Sequence, residues 1–474
     1  MISRRTLVSN SISLLANRLA QSISAFAVVA LIARMLGPHE LGQSMLAFSF
    51  YFVAMTIASQ GFKTLFTREM AKKRSLAGAY LTSGSALQLG CALIAYGLLL
   101  ALVAALPYAA DTTAVCAIFG LCLIPFALSN VTESVFQAFD RMYLIAYSTA
   151  PIYFLRVGLI WLALQNGHGI ESICWIMVAA EVVVLGVEWL FVLSFVQPAR
   201  RIDTGFMLSQ VSKAKALLGI EGMSVVRSRM QMLVLSVMGG EALVGLYGAM
   251  MQLLQPFLIA SQSMVAAVFP SMVKTAGLGL EHQKKLAAGI IEILLLVSIP
   301  LVIALAWVGD RILVLVYSDE SFANAATPLT IVAIGLLASS FNRALSFVLV
   351  ANGYERINLR EVIVSTILTT VLSVSLVHYY GLMGAAVTGP IAATVALAQY
   401  GHAVHRHLFQ LDYLRILIRP ILAGIAMQLL LYVLTRTGQN IFVIMGVTAM
   451  PFAIGVIWYL FPRRRGTLVA ASPV

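Results

Sequence analysis

Charge is what this sequence has least of. Only 11% of its 474 residues are Asp, Glu, Lys or Arg, where soluble domains carry about 25%. So few ions cannot cover a water-exposed surface, and a soluble protein is excluded. Cysteine is rarer still. Cys91, Cys116, Cys122 and Cys174 all lie in apolar stretches, where an isolated thiol behaves as a small hydrophobe, and no disulfide framework or zinc spacing is visible. Short alternating segments of the kind that build a β-barrel are absent. So are a paired-carboxylate motif, a nucleophile elbow and a metal triad.

What the sequence does have is apolar length. It is 60% hydrophobic with a mean hydropathy of +0.93, and runs of about 20 apolar residues, enough to cross a hydrocarbon core of ~30 Å, recur throughout. The runs read as spans at 10–35, 44–67, 80–105, 112–138, 143–164, 171–196, 213–238, 242–270, 286–308, 327–350, 359–379, 382–405, 413–435 and 440–462. Lipid offers no hydrogen-bond partners, so each should be a helix. The expected fold is an all-α polytopic membrane protein of about fourteen transmembrane helices.

Cations fall on one side of that ladder. Arg4 and Arg5, the Arg68 to Arg74 cluster, Arg141, Arg200, Arg201, Lys213, Lys215, Lys284, Lys285, Arg356, Arg360, Arg406, Arg415 and Arg463 to Arg465 sit in alternate connections. The opposite connections hold little beyond Arg311 and Arg436. The positive side faces the cytoplasm, which places both termini there, in a bacterial cytoplasmic membrane. The net charge of +12 is therefore attributed to the anionic lipid surface, not to nucleic acid.

The stretch GPHELGQS (37–44) comes close to the phosphate-loop pattern G-x-x-x-x-G-K-[ST], with Gln43 in place of the lysine. Such a loop follows a strand in soluble protein, whereas this one joins two spans. Its value is as a repeat marker. LIARMLGPHELGQSMLAF is echoed by LVLSVMGGEALVGLYGAM, pairing Gly37 and Gly42 with Gly239 and Gly245 through one inserted residue. AFDRMYLIAY (138–147) is similarly echoed by NGYERINLRE (352–361). The unit is six spans long, which gives two parallel lobes around a central cavity. The lobes are expected at 1–200 and 201–412, with two further spans and a cytoplasmic tail at 413–474. The linker QPARRIDTGFMLSQVSKAK is basic and amphipathic, suited to the membrane interface.

RMLGPHELG, TREMAKKR after the second span, AFDRM before the fifth and YGLMGAA before the twelfth together resemble the polysaccharide exporter branch of the multidrug/oligosaccharidyl-lipid/polysaccharide (MOP) transporter superfamily. The resemblance implies a flippase for undecaprenyl-pyrophosphate-linked oligosaccharides that works by alternating access in polysaccharide, O-antigen or exopolysaccharide synthesis. It implies as partners the lipid-linked glycan, membrane lipids, a coupling H⁺ or Na⁺, a polysaccharide polymerase and a chain-length regulator. It implies no cofactor and no resident metal.

Ionisable groups inside a span face protein or a water-filled cavity, because lipid exposure costs them about 2.5–3.5 kcal/mol or more. Five arginines form the candidate cationic site for the pyrophosphate: Arg18, Arg156, Arg227, Arg229 and Arg343. Arg supplies a planar fork matched to phosphate oxygens. The competing reading pairs each with a carboxylate. Arg18 lies on a polar side of the first span with Asn10, Asn17, Gln21, Ser22 and Ser24, a stripe that suits either a cavity or a helix contact. Arg227 shares an arc with Glu221, Ser224, Ser228 and Gln231, and Arg229 points elsewhere. Glu133, Glu181 and Glu188 are the candidates for ion coupling, and Glu221 for a gating contact with Arg18. Lys63 and Arg34, near span ends, can snorkel. Pro125, Pro151, Pro256, Pro300, Pro390 and Pro420 are expected kinks. His402, His405 and His407 lack an acidic or thiol partner and read as a solvated helix end, not a metal site.

Two other functions compete. A multidrug or cation antiporter would share the two-lobe plan, but its cavity should be smaller and more acidic or aromatic, against which the arginines count. A membrane polymerase would need room outside the bilayer, and the longest outer connection, GDRILVLVYSDESFANAAT, is too short to provide it. No catalytic residue is assigned.

Overall fold

A computed structural model of the chain describes residues 4–436 and 446 apart from 60, 277 and 278, with side chains also left out at 4–16, 213–221, 223, 224, 227, 270 and 276. Among the described residues there is no strand, and eleven helical stretches are long and apolar enough to cross a membrane. The chain is therefore a multi-pass, all-α membrane protein. The expected fourteenth span, 440–462, lies outside the described residues but for residue 446.

The first spans are α1 (Arg4–Met35), then α2 (Pro38–Ala58) with α3 (Phe62–Lys72). Short 3-10 and π turns over 74–84 lead into α4 (Ser85–Ala105). The fourth span is divided between α5 (Ala110–Gly120) and α6 (Leu123–Ala138), followed by α7 (Tyr143–Gln165) and α8 (Ile170–Leu193). Two expected spans are thus broken helices. α3 restarts at Gly61, whose φ of 83° is open to glycine and costly to other residues. Pro125 is the third residue of α6, in the first turn, where a missing N–H leaves no intrahelical bond unmade.

The linker ends earlier than expected. Asp203 caps α9 (Thr204–Gly239), its Oδ1 accepting from the Phe206 N–H at 3.0 Å, and the helix runs on through the seventh span without a break. Its first turns are amphipathic: Phe206, Met207 and Val211 pack on the core of Phe66, Tyr80, Val131 and Val192, while Leu208 is exposed. α10 (Glu241–Ala276), α11 (Leu280–Tyr317), α12 (Ala326–Ala351), α13 (Glu355–His407) and α14 (Tyr413–Arg436) follow. At 53 residues, α13 would be ~80 Å long if straight, far more than a bilayer. It turns at Gly381 (φ 53°, ψ −126°), so sharply that a Cβ on Gly384 would overlap the Leu376 carbonyl. The stretch is two spans, as the sequence reading has it.

The repeat is visible in the backbone, with one correction. Gly37 precedes α2 at φ 95°, and the residue that precedes α10 is Gly240 at φ 79°, not Gly239. Gly37 therefore matches Gly240, Pro38 matches Glu241 and Gly42 matches Gly245, with no inserted residue. These ends meet each other. A Cβ on Gly42 would overlap Glu241, the first residue of α10, and a Cβ on Gly245 would overlap Pro38, the first residue of α2. Such reciprocity, residue i on j and j on i, is the mark of a two-fold contact, here made within one chain. The second echo also shifts by one: Asp140 (φ 60°) and Gly353 (φ 80°) hold equivalent positions after α6 and α12.

The chain divides into two compact units. One comprises 1–252 with 316–319 and 369–385; the other comprises 253–315, 320–368 and 386–474. The core of the second unit is built from Ile291, Leu294, Leu345, Val348, Val404 and their neighbours on α11, α12 and α13.

Candidate functional site

In the first unit, the polar stripe of α1 is turned into protein. α1 packs along α7, and its Ser24, fully buried, donates to the Tyr153 carbonyl at 3.0 Å. Two turns earlier, Asn17 Oδ1 accepts from Thr149 at 2.5 Å. Arg18, one step round the helix from Asn17, is exposed instead.

Arg156 anchors this seam. It is 7% exposed, with Nη2 donating to Ser24 Oγ at 3.2 Å and Nη1 3.6 Å from Glu181 Oε1. Its guanidinium lies 4.4 Å from the centre of the Tyr153 ring. An arginine this deep is tolerated because a carboxylate and an aromatic face replace water. Arg156 Nε alone has no acceptor among the described residues.

A second polar patch lies nearer the other end of α8. Lys63, on α3, pairs with Glu133, on α6. Glu188 is completely buried, reached by Thr132 Oγ at 2.5 Å and Ser148 Oγ at 3.3 Å. Sequence reasoning named the three glutamates and missed Thr132 on α6 and Ser148, Thr149 and Tyr153 on α7, whose partners lie on other helices and so leave no pattern within either one.

The remaining candidates scatter. Arg229 is half-buried, with its guanidinium 4.4 Å from the Phe52 ring centre. In the second unit, Arg343 is half-buried and donates weakly to the Leu258 carbonyl at 3.4 Å, and a buried Glu361 accepts from Ser365 at 2.5 Å and Tyr400 at 2.9 Å. The side chains of Arg227 and Glu221 lie outside the described residues, and with them the Arg18 to Glu221 gate. His402 and His405 are exposed, and His407 packs on the Tyr354 ring.

Gln43 has its own role. From the first turns of α2 it donates to Asp111 Oδ2 at 2.8 Å and Thr112 Oγ at 3.1 Å, and Thr112 in turn donates to Glu241 at 3.0 Å. The residue that replaces a phosphate-loop lysine is a belt joining α2, α5 and α10 beside the glycine crossing.

The sequence profile of the polysaccharide biosynthesis protein family matches residues 7–276, more than half of the chain. The chain belongs to that family. A search among curated proteins found no match. Among solved structures, the fold is similar to the lipid II flippase MurJ in an inward closed conformation, with a TM-score of 0.71 and 13% identity over 96% of this chain and 97% of that one. It is also similar to an inward-facing multidrug resistance MATE transporter of the MOP superfamily, at 0.61 and 16% over 81% and 95%. A MOP superfamily transporter from Pyrococcus furiosus matches at 0.55 and 14% over 85% and 95%. The MOP resemblance carried by the sequence motifs is thus borne out, and this member of the polysaccharide biosynthesis family has a MOP-type transporter fold.

Proposed function

We propose that this protein is a flippase that carries a polyprenyl-pyrophosphate-linked oligosaccharide across the cytoplasmic membrane by alternating access, for the assembly of a surface polysaccharide. One observation carries the reading: a polysaccharide biosynthesis sequence profile lies on a fold that resembles a lipid II flippase over 96% of its length. The chemistry agrees. A pyrophosphate entering a low-dielectric lumen needs fixed cations; Arg18, Arg227, Arg229 and Arg343 are the ones offered, with Arg156 available once it parts from Glu181. The two six-span lobes at 1–200 and 201–412 supply the rocking bodies, and the adjoining polymerase and chain-length regulator receive the product.

The likeness to a MATE transporter supports a second reading, a multidrug or cation antiporter. Deleting the gene separates the two. The flippase predicts that a lipid-linked oligosaccharide accumulates on the cytoplasmic leaflet and that surface glycan is lost. An unchanged lipid fraction with heightened drug sensitivity selects the antiporter. The orientation is tested by reporters fused after Ser75 and Asp111, expected to report cytoplasm and exterior respectively; the reverse would overturn it.

A further inference from the structure

The ions gathered on α3, α6, α7 and α8 do not balance. Among the described residues, the facing helices α3, α6, α7 and α8 bring together two cations, Lys63 and Arg156, and three carboxylates, Glu133, Glu181 and Glu188. Lys63 is matched by Glu133 and Arg156 by Glu181. Glu188 is left over, the deepest of the three, and its hydrogen-bond donors among the described residues are hydroxyls. Its neighbours from every packed element are Thr132 and Ser129 on α6, Ser148 and Tyr153 on α7, and the Lys63–Glu133 pair, while Arg156 and Glu181 occupy the next turns of the seam. A lone carboxylate ion in that setting costs several kcal/mol.

Hydrogen counting says what offsets it. A hydroxyl carries one hydrogen. Thr132 Oγ has two acceptors in reach, the Ser129 carbonyl at 2.8 Å and Glu188 Oε2 at 2.5 Å. Ser148 Oγ has two as well, the Ile145 carbonyl at 3.0 Å and Glu188 Oε1 at 3.3 Å. Two hydrogens serve four contacts. If Glu188 carries a hydrogen of its own, it donates to Thr132 Oγ and Thr132 donates onward to Ser129, so the shortest contact is satisfied in both directions. A third hydroxyl, Ser129 Oγ, lies beside the same carboxylate, 4% exposed and with no well-formed hydrogen bond among the described residues. It is the spare partner an ionised Glu188 would recruit.

We propose that Glu188 is a proton-carrying site: protonated in the conformation described, it releases its proton when the seam between α6, α7 and α8 opens, so that one proton is exchanged per conformational cycle. The step balances simply. The Glu188 O–H bond breaks, the proton passes to water entering the seam, and the carboxylate left behind takes hydrogens from Thr132, Ser148 and Ser129. This deepens the transporter reading and rests on it for the cycle, though the protonation itself does not depend on what is transported.

The test uses the full chain in lipid nanodiscs and infrared difference spectroscopy between neutral and alkaline pH. Wild type should show a carboxylic-acid carbonyl band, assigned to Glu188 by its loss in Glu188→Gln, that disappears on alkalinisation. Glu188→Gln, isosteric with the protonated acid, should fold, bind lipid-linked glycan and lack that band, whereas Glu133→Gln should keep it. In cells, Glu188→Gln should lose glycan export while its abundance is unchanged, and Glu188→Asp should restore part of it. Absence of the band from wild type, its survival in Glu188→Gln, or its displacement by sodium at constant pH would each overturn the proposal. If gene deletion leaves the lipid-linked glycans unchanged but the band behaves as stated, it is the choice of substrate that fails and not the proton site.

Discussion

The two halves of the repeat match in backbone and differ in charge. Gly37 and Gly240 take the same left-handed conformation before α2 and α10, Gly42 and Gly245 make the same close approach, and Asp140 and Gly353 occupy the same turn. Among the described residues, the buried ions follow no such symmetry. α3, α6, α7 and α8 hold two ion pairs and an odd glutamate, while in the second unit Arg343 donates to a backbone carbonyl, Glu361 accepts from two hydroxyls, and the Arg419 to Glu292 pair at 3.0 Å involves an exposed arginine. The backbone features by which the chain turns and crosses itself recur in both halves, and the described ion pairs do not.

The symmetric part of the comparison carries the largest expected effect. At the crossing the obstacle to a side chain on Gly42 is the Glu241 backbone, which cannot rotate away as a side chain can. Gly42→Leu should cost roughly 3 kcal/mol or more. The nearest obstacle at Gly248 is the Met45 side chain, with Cγ 2.5 Å from an added Cβ, which can turn aside as a backbone cannot, and Gly248→Ala should cost about 1–2 kcal/mol. Thermal unfolding of the purified variants measures both. Equal losses would show that the crossing is not a fixed contact.

The asymmetric part is broken at Arg156. Removing one partner of a buried ion pair strands the other, at about 3–5 kcal/mol, whereas removing both is far milder. Arg156→Ala should therefore destabilise strongly, and Arg156→Ala with Glu181→Ala should recover most of the loss. Export then separates the roles. If the double variant regains both stability and glycan export, Arg156 serves only the α7–α8 seam; if it regains stability alone, the guanidinium also meets the substrate.

Much of this was legible in the sequence and some could not be. The spans were readable because a run of twenty apolar residues has one use. The breaks at Gly61 and before Leu123 were not, because hydropathy integrates across a kink that leaves the residues apolar. Gly239 and Gly240 are adjacent and chemically identical, so which of them takes the positive φ was invisible, and the repeat register slipped by one. The α1 stripe was correctly seen as polar, but a helix wheel shows a face and not its neighbour. Asn17 and Ser24, two turns apart, met α7, while Arg18 turned outward. The glutamates were found because an ion in an apolar run is conspicuous. Thr132 and Ser148 were missed because hydroxyls in membrane helices ordinarily bond their own backbone.

The smallest effect sharpens the comparison at the paired turns. Asp140 holds a left-handed conformation in which a side chain costs roughly 1 kcal/mol, and Arg74 Nη2 reaches its carboxylate at 3.0 Å across a half-exposed surface. Exposed pairs of this kind contribute about 0–1 kcal/mol, so Asp140→Gly trades strain relief for a lost contact and should shift stability by less than about 0.5 kcal/mol. Gly353 has the same backbone, and a Cβ there would meet nothing within 4 Å. Gly353→Asp therefore carries only the conformational penalty and should cost about 1 kcal/mol. Chemical denaturation of the two variants side by side reads the difference. A gain from Asp140→Gly as large as the loss from Gly353→Asp would mean that Arg74 contributes nothing, and that the aspartate in the first turn is tolerated and not held.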